Sequence, residues 1–163
     1  MIVNRIQAIE ALYAPFHEGW RNGWPNPDPL KAHANAATII GEASRVGPVQ
    51  WQGEQEAPTD PLLFYARVSN QDVASPQSAL SDGECVPFDT IGILFVQLFI
   101  SKIGSGNRMK GERLASMIQH GYRRWNQDIW FTNARIVDIA PGETWLHKQV
   151  IVDYEFHEYE EVR

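Results

Sequence analysis

The sequence predicts a single α+β domain, a mixed and mostly antiparallel β-sheet flanked by helices. Three observations lead there. The N-terminus carries apolar residues at helical spacing. A long apolar strand around residues 91–103 is followed by a Gly-Ser-Gly turn, one amphipathic helix and two closing strands. The last of these alternates apolar and polar residues, as a half-buried antiparallel strand does. The length of 163 residues suits one domain with one core.

Each element has its own signal. Ile2, Ile6, Ile9, Tyr13, Phe16 and Trp20 recur at helical spacing, with Val3 and Leu12 widening the stripe. Pro15 inside this run is expected to end the helix near Ala14 or to kink it. Residues 23–29 hold three prolines and are expected to be irregular. Residues 30–45 are alanine-rich and predict a helix, with Asp28 as its cap, Pro29 at its first position and Gly47-Pro48 beyond its end. The segment 23–48 thus reads as an insertion between the first helix and the sheet, and residues 51–60 as a polar loop.

After Pro61 a strand alternates Leu62, Phe64, Ala66 and Val68 against Leu63, Tyr65, Arg67 and Ser69. Residues 71–83, rich in Ser, Asp, Gln and Pro, predict a long exposed loop or an extended hairpin. The next strand is apolar on both faces: Ile91, Ile93, Phe95 and Phe99 on one, Leu94, Val96, Leu98 and Ile100 on the other. Such a strand is central and covered on both sides, by helices of the same chain or by a neighbouring subunit. Asn107 is placed to cap a helix whose buried stripe is Leu114, Met117, Ile118 and Tyr122. A strand over about 128–139 and a turn at Pro141-Gly142 follow. In the last strand Leu146, Val150, Val152, Tyr154 and Phe156 face inward, with Trp145, His147, Gln149, Asp153, Glu155 and His157 outward. Residues 158–163 read as an acidic, solvated tail.

Composition bounds the function. The net charge of -6 argues against general nucleic-acid binding through a basic surface. The lone Cys85 has no partner for an internal disulfide, which fits a reducing compartment. The N-terminus lacks the continuous apolar stretch of a signal peptide, and the run from Ile91 to Ile100 is too short to span a bilayer, so a soluble intracellular product is expected.

No motif for catalysis, cofactor or metal stands out. The five histidines, His17, His33, His120, His147 and His157, show no metal-ligand spacing. His147 and His157 share a strand face but lie ten residues apart, at about 3.4 Å per residue too far for one ion. Gly104-Ser105-Gly106 before a helix lacks the Lys-Ser/Thr of a phosphate loop, though Arg108 and Lys110 near that helix start are suited to an anion. Interface features are more numerous. Arg108, Lys110, Arg123 and Arg124 make one helix basic, while Asp153 and Glu155 make the last strand acidic. Complementary patches on opposite sides of one subunit join head to tail in a ring. Six tryptophans are many for this length, and Trp130 and Trp145 are the aromatic interface candidates.

The order of elements resembles the tail-terminator family of long-tailed bacteriophages, which includes a phage-related domain of unknown function. The resemblance rests on the first helix and on the loop 49–54 with its Trp51 and following Pro58. It continues through the strand 63–68, the hairpin arm, the apolar strand 90–103, the helix with Leu114-Ala115, and the closing strands 129–139 and 145–156. It implies a mixed sheet with helices packed on it and a structural role without catalysis or cofactor. Such a protein forms a homo-hexameric ring on the tail tube protein, stops tube growth and offers a surface to a neck or head-completion protein. Genome DNA passes through the lumen unread. The expected location is the head-proximal end of the virion tail, and the host cytoplasm during assembly. The arm at 71–83 is then a candidate contact with tube or neighbour. A head–tail connector or head-closure protein is the alternative, and a small α/β enzyme or ligand-binding domain a third reading, which a deep polar pocket with convergent titratable groups would favour.

Overall fold

The computed structural model describes residues 5–51, 56–76, 85–125 and 128–161, with the backbone alone at 85–86 and 159–161. Five strands, β1 (Val46–Trp51), β2 (Phe64–Ala74), β3 (Cys85–Ser101), β4 (Trp130–Ile139) and β5 (Trp145–Glu161), form one sheet in the order β1-β2-β3-β5-β4. Only β1 and β2 pair in parallel, and the other pairs are antiparallel. The helices are α1 (Arg5–Asn22), α2 (Ala36–Ile40) and α3 (Asn107–Arg123). The chain is therefore the expected α+β domain with a mixed, mostly antiparallel sheet.

β3 is central, and its pairing organises the rest. It runs antiparallel to β5 from Cys85 opposite Glu161 to Ser101 opposite Trp145, and to β2 from Ile91 opposite Ala74 to Phe99 opposite Tyr65. The residues expected to be an acidic tail from Glu158 onward thus lengthen β5 as far as Glu161. Residues 71–74 likewise lengthen β2, making the extended form of the hairpin, while 77–83 of that segment lie outside the described residues.

One face of the sheet holds the core. Phe64, Ala66 and Val68 of β2, Leu94, Val96, Leu98 and Ile100 of β3, and Val150, Val152, Tyr154 and Phe156 of β5 are buried there. Over them lie Ala8, Leu12, Phe16 and Trp20 of α1 and Leu114, Ala115, Met117, Ile118 and Tyr122 of α3. Each large side chain so buried stabilises the fold by about 1.5–3 kcal/mol. Of the cover expected on both sides of β3, from helices of the same chain or from a neighbouring subunit, the described helices supply one side.

Several local expectations are corrected. α1 continues through Pro15 to Asn22, because the missing N–H forfeits one intrahelical bond while Phe16, Gly19 and Trp20 beyond it are buried. Its buried stripe is Ala8, Leu12, Pro15, Phe16, Gly19 and Trp20, and Ile6 points to solvent. The helix expected over 30–45 shrinks to α2. Asp28 turns back onto the Leu30 N–H at 3.0 Å instead of capping, and Asn35 caps α2 by accepting from the Thr38 N–H at 2.8 Å. Gly47 and Pro48, expected to stop a helix, lie within β1, an edge strand where a proline is tolerated. Within the segment 23–48, Trp24, Ala36 and Ile40 contribute to the core. Asn107 does not cap α3. Gly106, at φ 73°, precedes the helix, and the buried Asn107 amide donates to the carbonyls of Ser101 and Ile103, fastening the turn after β3.

At the hairpin end of the core face a polar network replaces packing. The Tyr154 hydroxyl donates to Asp72 at 2.5 Å and accepts from the Asn70 amide at 3.1 Å. The Tyr13 hydroxyl of α1 donates to Asn70 at 2.6 Å, and Arg5 meets Asp72 at 2.5 Å. Burial, reinforced by the hydrogen bond to Asp72, raises the Tyr154 pKa. The ring of Tyr154 reaches these partners by crossing Gly92, where an added Cβ would lie 2.3 Å from the ring and 2.6 Å from the Gln71 carbonyl. Gly92→Ala is therefore expected to lower stability by about 2 kcal/mol, read as a fall in the urea midpoint at unchanged slope.

Candidate functional site: the uncovered face of the sheet

The face opposite the helices is built by strand register. Across β2, β3, β5 and β4 its rows are Tyr65, Phe99, His147 and Ile139; then Arg67, Gln97, Gln149 and Val137; then Ser69, Phe95, Ile151 and Arg135; then Gln71, Ile93, Asp153 and Thr132. The next row carries Ile91, Glu155 and Trp130, with Val73 beside it on β2. An apolar middle contributed by β3 thus runs between polar flanks.

The two ends of this face differ. At one end aromatic rings close over one another. Tyr65 stacks on Phe99 at 4.3 Å, Phe99 stacks on His147 at 4.5 Å, and Trp145 meets the edge of Tyr65 at 5.2 Å. Arg67 lies over Phe99 at 5.6 Å and donates to Gln50 Oε1 at 3.0–3.1 Å. Burial, then the charge of Arg67, lowers the His147 pKa. Trp145, an expected interface residue, is half-buried, and its indole N–H donates to the Leu63 carbonyl at 2.9 Å.

The other end is bare. Val73, Ile91 and Trp130 are 63%, 43% and 52% exposed. Trp130 rests edge-on against His157 at 4.8 Å, and His157 is hydrogen-bonded to Asp89. Asp153 is held by Arg135 at 3.3 Å and by Asn133 at 3.1 Å. Glu155 is exposed, and its side chain has no partner among the described residues. Of the candidates on this strand face, Trp130 and Glu155 stand open, Asp153 is partly engaged and Trp145 is half-buried.

The expected basic patch is divided. α3 lies on the helix layer, so its charges are on the opposite side of the domain from Glu155. Arg108 and Lys110 occupy its first turn, whereas Arg123 and Arg124 are about 20–24 Å further along at 1.5 Å per residue. Arg123 also donates to the Ala134 carbonyl at 3.2 Å.

Sheet edges offer less. Pro48 interrupts the edge strand β1, and β4 carries a bulge between Thr132 and Arg135 with Asn133 at φ 51°. Both features oppose pairing with a further strand.

Of the other tryptophans, Trp20 and Trp24 lie in the core. One residue the sequence reading passed over is Lys148, which sits between Leu146 and Val150 and so points inward. It is buried, 2.6 Å from Glu112 of α3 and bonded to Asp138 of β4. Burial acts to lower its pKa, but the hydrogen bonds and charges of Asp138 and Glu112 outweigh this and raise it. The same bond lowers the Asp138 pKa. A cleft of about 380 Å³ beside the triad is lined by Arg108, Glu112, Asp138, His147 and Lys148 among others. The triad ties α3 to β4 and β5 through one ammonium shared by two carboxylates. No group of three potential metal ligands occurs among the described residues, and no described helix is long and apolar enough to cross a membrane.

No protein-family model matches the chain, and no curated protein matches it significantly. Among solved structures, that of a protein without a functional name aligns over 67% of this chain and 78% of its own at 17% identity, with a TM-score of 0.39. That likeness is too low to carry an argument about fold or function.

The triad is asymmetric, and this is testable. Lys148→Met keeps an apolar stem and frees two carboxylates that reach water, so a stability change within about 1 kcal/mol is expected. Glu112→Gln combined with Asp138→Asn leaves the buried Lys148 ammonium without a countercharge and is expected to destabilise the fold more than Lys148→Met does, read as a lower urea midpoint at pH 7.

Proposed function

We propose that this chain is a structural virion protein, a tail terminator. In this reading copies of it form a homo-hexameric ring on the last turn of the tail tube protein, stop its growth and present a surface to a neck or head-completion protein. Genome DNA passes through the lumen without being read. The site of action is the head-proximal end of the tail, reached through assembly in the host cytoplasm.

The observation that carries the reading is the uncovered face of the sheet. Its rows from Ile91 to Phe99 span about 27 Å along the strands and about 20 Å across them. Its open part is the Val73, Ile91 and Trp130 end, which supplies a share of the ~800 Å² per partner of a standard interface. An exposed apolar row rimmed by charge has the anatomy of an assembly contact. In the cleft the Lys148 ammonium is engaged by Glu112 and Asp138 in a structural tie. The order of elements described from the sequence supplies the particular assembly.

The experiment is electron microscopy of tails made by a phage deleted for this gene. Overlong tails of variable length are expected. Tails of normal length lying apart from filled heads would assign the protein to the neck, and intact infectious virions would remove the structural reading.

A further inference from the structure

We infer that a groove on the helix side of the domain, between α3 and the segment that carries α2, docks an acidic amphipathic helix of a partner protein. The inference concerns the side away from the open sheet and stands whether or not the chain assembles with itself.

The groove follows from a second stripe on α3. Leu114, Ala115, Ile118 and Tyr122 are turned into the core. Met109, Glu112, Arg113, Ser116 and Met117 fall at positions i, i+3, i+4, i+7 and i+8, so they share a neighbouring side of the helix. With Pro27, Lys31, Ala34 and Ile39 they line a hollow of about 550 Å³, which Ala34 and Ser116 are too short to fill. Its floor is apolar. Met117 is buried, Ala34 and Ile39 are partly buried, and Met109 is 60% exposed. Methionine thioethers bend to fit apolar partners of varied shape, which suits a docking groove.

Charge selects the occupant. Three charged side chains line the groove, Lys31, Glu112 and Arg113. Glu112 is turned to Lys148 at 2.6 Å. Lys31 and Arg113 are exposed, and their side chains form no ion pair among the described residues. Of the flanking charges, Asp28 accepts from the Leu30 N–H at 3.0 Å, while Lys110 and Glu42, both next to Gly41, cancel in net charge. In a chain of net charge -6, the groove therefore presents two cations beside an apolar floor. The complementary surface bears carboxylates on the flanks of an apolar stripe.

The walls decide its conformation. No sheet edge borders the groove, so an extended segment would find no ladder partners, whereas a helix carries its own backbone hydrogen bonds. Met109 to Met117 spans about 12 Å, or two helical turns, the reach of apolar anchors at i, i+3, i+4 and i+7. A nucleic acid would need rings to stack on, and no aromatic residue is among the described lining residues. A second copy has no described helix to offer, because α1 and α3 spend their apolar stripes on their own core.

The test uses the full chain with methionine methyl groups labelled with carbon-13. The Met109 and Met117 signals are assigned by substitution to leucine. The probe is a synthetic amphipathic helical peptide with leucines on one face and glutamates flanking them. Both signals are expected to move saturably as the peptide is added. The same peptide with glutamine for glutamate, and the variant Arg113→Glu with the original peptide, are each expected to bind about tenfold more weakly. Ser116→Phe, which fills the hollow without changing charge, is expected to abolish the shifts. The substituted residues are exposed, so melting curves near that of wild type are expected. Should Arg113→Glu melt early, Lys31→Glu on the opposite wall carries the same reading. Methionine signals that stay fixed at millimolar peptide would overturn the inference, as would equal binding of the glutamine peptide. Shifts produced by a DNA duplex or by phosphatidylserine vesicles and not by the peptide would replace the protein partner with that ligand. Shifts that follow protein concentration alone would assign the groove to a second copy and overturn it equally.

Discussion

The covering of the sheet on one side only is the constraint from which the other features follow. β3 pairs along its length with β2 and β5 and is apolar on both faces. The described helices meet only the face that carries Leu94, Val96, Leu98 and Ile100. α1 and α3 have no second apolar stripe with which to reach the other side. That side is partly closed by its own side chains at the Tyr65–Phe99–His147 stack and left open at Ile91 and Trp130. A bare apolar row on a sheet costs free energy in water unless another surface covers it.

The remaining structure directs how such a surface is met. The core face is rigidly tied. The Tyr154 network fastens the hairpin end to α1, Arg45 and Asn107 fasten the turn after β3, and the Lys148 triad fastens α3 to the sheet. A platform anchored at its ends and middle can present an interface without ordering it anew, which lowers the cost of association. Pro48 and the bulge at Asn133 discourage growth of the sheet by edge pairing. Association is thereby turned toward faces, where side-chain charge chooses the partner.

Much of the fold was legible in the sequence, and the exceptions have physical causes. β3, α3 and β5 announced themselves because period and burial agree: Leu114, Met117, Ile118 and Tyr122 are inward as their spacing says. α2 and β1 were misread because alanine content predicted a helix where Asn35 and Gly41 delimit a single short turn, and because Gly47-Pro48 punctuates an edge strand as readily as a helix end. The uncovered face was half legible. β3 apolar on both sides and β5 polar on its outer side are in conflict under one cover, and that conflict is what an open, apolar-centred face produces. The half-burial of Trp145 was not legible, since it depends on the Leu63 carbonyl brought near by folding. Lys148 was legible in principle, at an inward position of a strict alternation, but a lysine between Leu146 and Val150 is explained only once Glu112 and Asp138 converge on it. The division of the basic helix into two separate ends follows from its length.

Hydroxyl-radical footprinting of the purified chain, compared between dilute and concentrated solution, measures directly whether the uncovered face is buried by assembly. Val73, Ile91, Phe95 and Trp130 are expected to lose reactivity on concentration, while the exposed Ile6 and Leu30 keep theirs. Unchanged reactivity at Trp130 and Ile91 together with protection of Ile6 or Leu30 would place the contact on the helix side and contradict the role given to the open sheet.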